Sequence, residues 1–437
     1  MRRSTLQSLL ILAGLVLGIV VGQVMHAFGA PPEAIWKDAG DLVLVRPLML
    51  LIIPLVLVSV VVGVTSIGDP SRLGAIGGAT VLYFVSTMLL AVILGTALVS
   101  TIRPGDGLAP EQVESIIRDG ERSIDQKARD DSALRTGMEE ARSEGLAGTW
   151  LRIVRQLIPT NVVAEMAGGR PLGVISFAIL LGLALALGGE TTRPAVVVFE
   201  ALFDALLRLV GWVIWLAPLG IFLLVAHTVG SIGLGSLAGP IGKYMLTVVL
   251  GLGIHGLVVL PLVLAIAGRT NPFRFMHRMR RPLMTALGTS SSSATMPVTL
   301  EAAVNEGGCS KRAANFVIPL GTTINMDGTA LYEAVAVVFL FQLFGIDLSF
   351  ADLLIVVVTA TLAAIGAAGI PSAGLITMVI VVAAVNTSLA ARGVPELPLT
   401  AIGIVIGVDR LLDMVRTTVN VWGDMIGARV VTRLVPD

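Results

Sequence analysis

Long apolar runs leave this chain few folds to choose from. Segments with little or no charge recur near 6–28, 42–66, 74–101, 172–188, 196–227 and 241–268, and each can cross a hydrocarbon core of about 30 Å as a helix. Of the 437 residues, 55% are hydrophobic and only 14% charged, with a mean hydropathy of +0.90. A water-soluble fold has no interior large enough to hide that much apolar surface. The expected fold is therefore an all-α integral membrane protein.

Thirty basic and thirty acidic side chains cancel, so no overall field points to nucleic acid as a partner. Cys309 is the only cysteine, which excludes an intrachain disulfide and a thiolate metal cluster. His26, His227, His255 and His277 lack metal-ligand spacing, so no metalloenzyme is expected. The start, MRRSTLQSLLILAGLVLGIVVGQ, has the basic head of a signal peptide, yet its uncharged stretch runs on to Pro32; it is read as a retained first membrane helix.

Six spans precede residue 270. An even number puts Arg2 and Arg3 on the same side as Arg269, Arg274, Arg278, Arg280 and Arg281, and the excess of arginine marks that side as cytoplasmic. The one strongly hydrophilic stretch, from Arg103 to Trp150, interleaves opposite charges and reads as an extramembrane loop.

Beyond residue 281 the apolar pattern is interrupted twice, at Pro282–Ala303 (PLMTALGTSSSSATMPVTLEAA) and within Leu353–Ala391, where AAIGAAGIPSAG puts glycine and proline in place of helix formers. Each reads as a re-entrant helical hairpin. Irregular backbone at membrane depth survives only where protein or a wet cavity satisfies it, so the tips mark a site. Each hairpin is followed by an apolar helix carrying polar residues. Such paired interruptions point to an inverted repeat with a midplane site, where helix N-termini face anions and unwound carbonyls face cations.

The final helix places Asp409, Asp413, Arg416, Asn420 and Asp424 at steps of 4, 3, 4 and 4, with Thr417 on the same side. Ionisable groups in a span are costly unless they face partners in the protein interior. They form either a structural ion-pair stripe, such as Asp413 with Arg416, or a binding site. The planar guanidinium of Arg416 suits a carboxylate, and Asp413, one turn away, suits an ammonium. Together they make a two-ended clamp for an amino acid with an acidic side chain. In VIPLGTTINMDGTALYEAV the helix is expected to break at Asn325–Asp327. Asp327 and Asp424, with Asn325 and Asn420, supply hard oxygen ligands that suit sodium. Glu333 is either a proton carrier or a locally satisfied acid. Ser290–Ser293 lack the surroundings of a hydrolytic nucleophile, so the chain is not read as an enzyme and no organic cofactor is expected.

Four motifs, TSSSSATMPVT (Thr289–Thr299), INMDGTALYEA (Ile324–Ala334), GAAGIPSAG (Gly366–Gly374) and DMVRTTVNVWGD (Asp413–Asp424), resemble those of the dicarboxylate/amino acid:cation symporter family. The resemblance covers nearly the whole chain. It implies eight transmembrane helices plus two re-entrant hairpins in a homotrimeric elevator transporter of the cell membrane, with both termini cytoplasmic. Scaffold helices would occupy residues 1–72 and 151–230. A transport domain would comprise 73–102 and 231–437, with 103–150 as the outer loop. Substrate contacts would fall on Ser291, Ser292, Ser293, Thr329, Gly369, Ile370, Pro371, Asp413, Arg416, Thr417 and Asn420. One sodium would take Gly321, Asn325, Asn420 and Asp424, and another Thr323, Met326, Ala364, Ile365 and Ala367. A third would take Asp327 with Tyr83, Ser86 and Thr87. Glu333 matches the family's proton-carrying position. Ser290 and Met414 stand where many relatives have an arginine. The implied activity is sodium-coupled symport of aspartate or glutamate; the alternatives are a dicarboxylate or neutral amino acid carrier, or an ion channel.

Overall fold

The computed structural model describes residues 3–29, 34–65, 70–106, 124, 158–168, 171–232, 240–365, 373–390 and 392–435. Most of the hydrophilic stretch and the tip of the second hairpin, including Gly369, Ile370, Pro371 and Ala367, lie outside the described residues. Among the described residues there is helix but no strand. The elements in chain order are α1 (Arg3–Ala27), α2 (Ala34–Gly40), α3 (Arg46–Thr65), α4 (Pro70–Ile102), α5 (Val162–Ala167), α6 (Pro171–Leu187), α7 (Arg193–Ile214), α8 (Ala217–Ile232) and α9 (Pro240–Ile254). They continue with α10 (Leu260–Ile266), α11 (Pro272–Arg278), α12 (Arg280–Thr289), α13 (Ser292–Asn305), α14 (Lys311–Ile324), α15 (Asp327–Leu343), α16 (Phe350–Ile365), α17 (Ala373–Ala390) and α18 (Gly403–Leu434). Short π turns, Asp41–Val45 and His255–Val259, join α2 to α3 and α9 to α10.

Among the described residues, five helical stretches are long and apolar enough to cross a membrane: Leu9–Ala27, Ile35–Val62, Gly74–Ile102, Ile241–Ile266 and Lys311–Leu343. The expected single span at 196–227 is instead two helices, α7 and α8, bent by 56°. Pro218, at the second position of α8, explains the corner: its ring lacks an N–H and clashes with a continuing preceding turn.

The helices pack in two groups. α1 lies along α8, α2 also meets α8, and α3 packs on α6 and α7. The α1–α8 seam depends on Gly14, Gly18 and Gly22, spaced four apart. A Cβ on Gly22 would sit 2.6 Å from the Ala226 carbonyl oxygen, so only glycine lets the backbones meet this closely. In the second group α4 and α9 pack on α15, while α14 and α15 pack on α18. Within this second group burial is deepest in α14 and α15, where nearly every residue from Ala313 to Leu343 is buried, whereas α4 and α9 turn Leu82 and Leu246 outward. The α12–α13 hairpin is wedged between the groups, touching α1, α3, α7 and α8 on one side and α18 on the other. The α16–α17 pair packs on α4, α14 and α15.

A buried binding site between broken helices

The helix of α14 stops at Ile324, and Asn325 and Met326 leave helical geometry (φ −92°, ψ 77° and φ −108°, ψ 52°) before α15 begins at Asp327. The gap frees backbone groups, and α18 answers them. Asn420 accepts from the Gly328 N–H at 2.7 Å and donates to Thr329 Oγ1 at 3.1 Å and to the Met326 sulfur at 3.3 Å. Asn325 donates to Asp424 Oδ1 at 3.0 Å. Close approach requires small residues on both sides. A Cβ on Gly423 would lie 2.8 Å from Asn325 Nδ2, and one on Gly321 would collide with Asp424.

α4 and α9 complete a cluster of oxygens around Asp327. Thr87 donates to Asp327 Oδ1 at 3.1 Å and lies 3.5 Å from Asn325 Oδ1, while Tyr83 donates to the Gly423 carbonyl at 2.8 Å. His255 Nε2 lies 3.1 Å from Asp327 Oδ2, with both side chains fully buried. The π turn that starts at His255 is fixed by Trp422, whose indole donates to the Gly256 carbonyl at 3.0 Å. Among the described residues, buried Asp424 Oδ2 has no hydrogen-bond partner. A carboxylate oxygen left so in a low-dielectric interior is costly unless a cation meets it. Asn325, Asp327, Asn420 and Asp424, with Tyr83 and Thr87, thus form one constellation. Ser86 is exposed and outside it, because one residue along a helix turns a side chain by about 100°. Thr323 donates to the Leu320 carbonyl at 3.0 Å, and Ala364 and Ile365 close α16 just before the undescribed tip.

Nearer the middle of α18, Arg416 is fully buried and already engaged. Its Nη2 and Nε donate to Asp413 Oδ1 at 2.7 and 3.1 Å, and Nη1 lies 3.5 Å from Asp409 Oδ1. The guanidinium carbon sits 4.4 Å above the Tyr332 ring, and Tyr332 donates to Asp409 Oδ1 at 3.0 Å. Thr417 donates to Asp413 at 3.3 Å. A Cβ on Gly374, at the start of α17, would lie 2.7 Å from Arg416 Nη1, so the start of α17 packs directly against the guanidinium. Glu333 is fully buried beside the same hairpin and accepts from Thr377.

The first hairpin supplies the opposite wall. Ser290 ends α12 in the left-handed conformation (φ 51°), and Ser291 caps α13 by accepting from the Ala294 N–H at 3.0 Å. Ser292 and Ser293 then open the helix, at the end whose N–H groups favour an anion.

Three members of the site went unrecognised as such in the sequence: His255, Tyr332 and Thr377. His255 carried a usable signal, an ionisable residue inside an apolar span. Tyr332 and Thr377 carried none.

An all-helical membrane protein with a broken helix, two short hairpins and a buried charged site belongs to the class of membrane transporters. The sodium:dicarboxylate symporter family matches residues 8–434, and the chain belongs to that family. It is 38% identical to mouse excitatory amino acid transporter 3, over 97% of this chain and 84% of the relative. Bovine neutral amino acid transporter B(0) is 35% identical, over 96% and 77%. A Caenorhabditis elegans protein described as putative sodium-dependent excitatory amino acid transporter glt-4 is 34% identical, over 98% and 90%. Sodium coupling follows from the family.

Proposed function

We propose that the protein imports an acidic amino acid, L-aspartate or L-glutamate, with sodium. The Arg416–Asp413 pair carries this reading. One end offers a planar cation matched to a carboxylate, the other an anion matched to an ammonium. In the unliganded site the two satisfy each other. An arriving amino acid exchanges that internal pair for its own groups: Asp413 turns to the ammonium, while Asp409 and the Tyr332 ring retain the guanidinium for the side-chain carboxylate. The N-terminus of α13, with Ser291–Ser293, takes the main-chain carboxylate. Thr329, Thr417, Asn420 and the second hairpin around Gly369–Pro371 close the site.

Sodium is cargo here, and its donor set is hard oxygen: Asp424, Asn420, Asn325 and the Gly321 carbonyl for one ion, and Asp327 with Tyr83 and Thr87 for another. Glu333, hydrogen-bonded to Thr377 of the second hairpin, is positioned to carry a proton coupled to gating. The division into a scaffold (1–72, 151–230) and a transport domain (73–102, 231–437), with eight spans and two re-entrant hairpins in all, draws support from the separate packing of α1 on α8 and of α4 and α9 on α15. The whole operates as an elevator in a homotrimer.

The test is uptake of labelled L-aspartate into proteoliposomes under an inward sodium gradient, compared with potassium and with a proton gradient alone. Sodium-driven accumulation is expected. Arg416→Gln should weaken aspartate binding about tenfold to a hundredfold, the loss of a charge-assisted pair, and leave sodium binding in place. Unchanged aspartate affinity would remove the carboxylate assignment. Preference for a neutral amino acid or a dicarboxylate in competition, or flux that does not saturate, would replace it with another carrier specificity or a channel.

A further inference from the structure

The inner end of α10 carries a charge imbalance that the transport site does not use. No aspartate or glutamate occurs from Ala205 to Leu300, whereas Arg269, Arg274, Arg278, Arg280 and Arg281 all fall within that stretch. Arg281 is neutralised by Glu301 and Glu306, and Arg280 donates to the His277 carbonyl at 3.0 Å. Arg269, Arg274 and Arg278 are exposed, and among the described residues none of them is in an ion pair.

The contrast with the other end of the same helical group is direct. Arg103 follows α4 with φ 47° and Arg269 follows α10 with φ 43°, both left-handed. Arg103 is paired with Asp106 and, at 2.8 Å, with Asp347. Arg269 has no such partner among the described residues. Above it, Leu257, Val258, Leu262 and Ile266 turn outward along one side of the span, and below it Phe273 is 64% exposed beside Arg274. An outward apolar stripe, an exposed aromatic ring and a row of unpaired arginines follow each other in the order acyl chain, interface, headgroup. The row is held rigidly, since Arg429 of α18 donates to Thr270 Oγ1 at 3.0 Å and to the Gly308 carbonyl at 2.7 Å.

We infer that Arg269, Arg274 and Arg278 bind the phosphate of an anionic phospholipid, with Phe273 set among its chains, at the root of the first hairpin. The lipid completes a surface whose charge the protein leaves open, and it fastens α11, and through it α12, to the inner leaflet.

The full-length protein, incubated in detergent with equal amounts of phosphatidylcholine and phosphatidylglycerol, is examined by native mass spectrometry. Wild type should retain phosphatidylglycerol in preference. Arg274→Gln with Arg278→Gln should lower that retention about fivefold per arginine, the fold-change for about 1 kcal/mol each. Arg274→Lys with Arg278→Lys should keep most of it. Raising salt should weaken retention by wild type, a reading that needs no variant to fold. Equal retention of the two lipids by wild type, no effect of salt, or full retention by the glutamine pair overturns the proposal.

Discussion

The two hairpins are built alike and held differently. Each is clasped across its open end by an arginine and a carboxylate. In the first, Arg281 of α12 reaches Glu301 of α13 and, at 3.2 Å, Glu306 just beyond it. In the second, Asp352 of α16 accepts from Ser349 (N–H, 2.8 Å; hydroxyl, 2.6 Å), from Ser388 at 2.9 Å and from Arg392 at 2.6 Å. Asn386 further ties α17 to the strap before α18, donating to the Leu397 carbonyl at 2.7 Å and accepting from its N–H at 2.9 Å. The first hairpin is wedged between both helix groups, whereas the second packs chiefly on one. A wedged hairpin must disrupt packing on two faces to open and a one-sided hairpin on one, so the second is the element suited to gating.

Freezing the wedge should have the largest effect. The Gly288 position presses on Ile221 of α8, and Gly288→Cys with Ile221→Cys would tie the first hairpin to the other helix group. Cys309 does not compete for the cross-link, since burial pushes its thiol up to about 12 and little thiolate forms at neutral pH. Oxidation should abolish uptake yet leave substrate binding measurable by calorimetry. Normal uptake after complete oxidation would mean that the wedge does not move.

An intermediate effect is expected from Asp352→Ala. It removes the clasp of the one-sided hairpin, and at about 1.5–3 kcal/mol for bonds to a charged group substrate should dissociate about tenfold faster or more, with the melting temperature also lowered by a few degrees. An unchanged off-rate would place the hinge elsewhere. Arg281→Gln should do least. The buttressed hairpin stays shut, so the melting temperature falls by the few degrees that about 1 kcal/mol represents while substrate affinity holds. A loss of affinity comparable to that of Asp352→Ala would erase the distinction between the hairpins.

Much of this arrangement was legible in the sequence because it depends on residues that are expensive or disruptive in a span. The stripe from Asp409 to Asp424 is buried along one helix as its spacing required, and the break at Asn325–Met326 falls inside INMDG. Orientation within uniformly apolar helices was not legible. Ser86 and Thr87 are equivalent in composition, yet only Thr87 reaches Asp327. His255 looked isolated because its partner lies 72 residues away on another helix. The corner between α7 and α8 was signalled by Pro218, but an unbroken apolar run concealed it.

The internal pairing of Arg416 with Asp413 has a consequence for inhibition. The site carries its own competitor, tethered one turn away and never diluted, so every ligand is weighed against an aspartate already in place. A molecule with carboxylates but no ammonium gives Asp413 no reason to let go and must displace it outright. Neutralising Asp413 vacates the guanidinium, and plain dicarboxylates should then compete for it more strongly than they do in wild type.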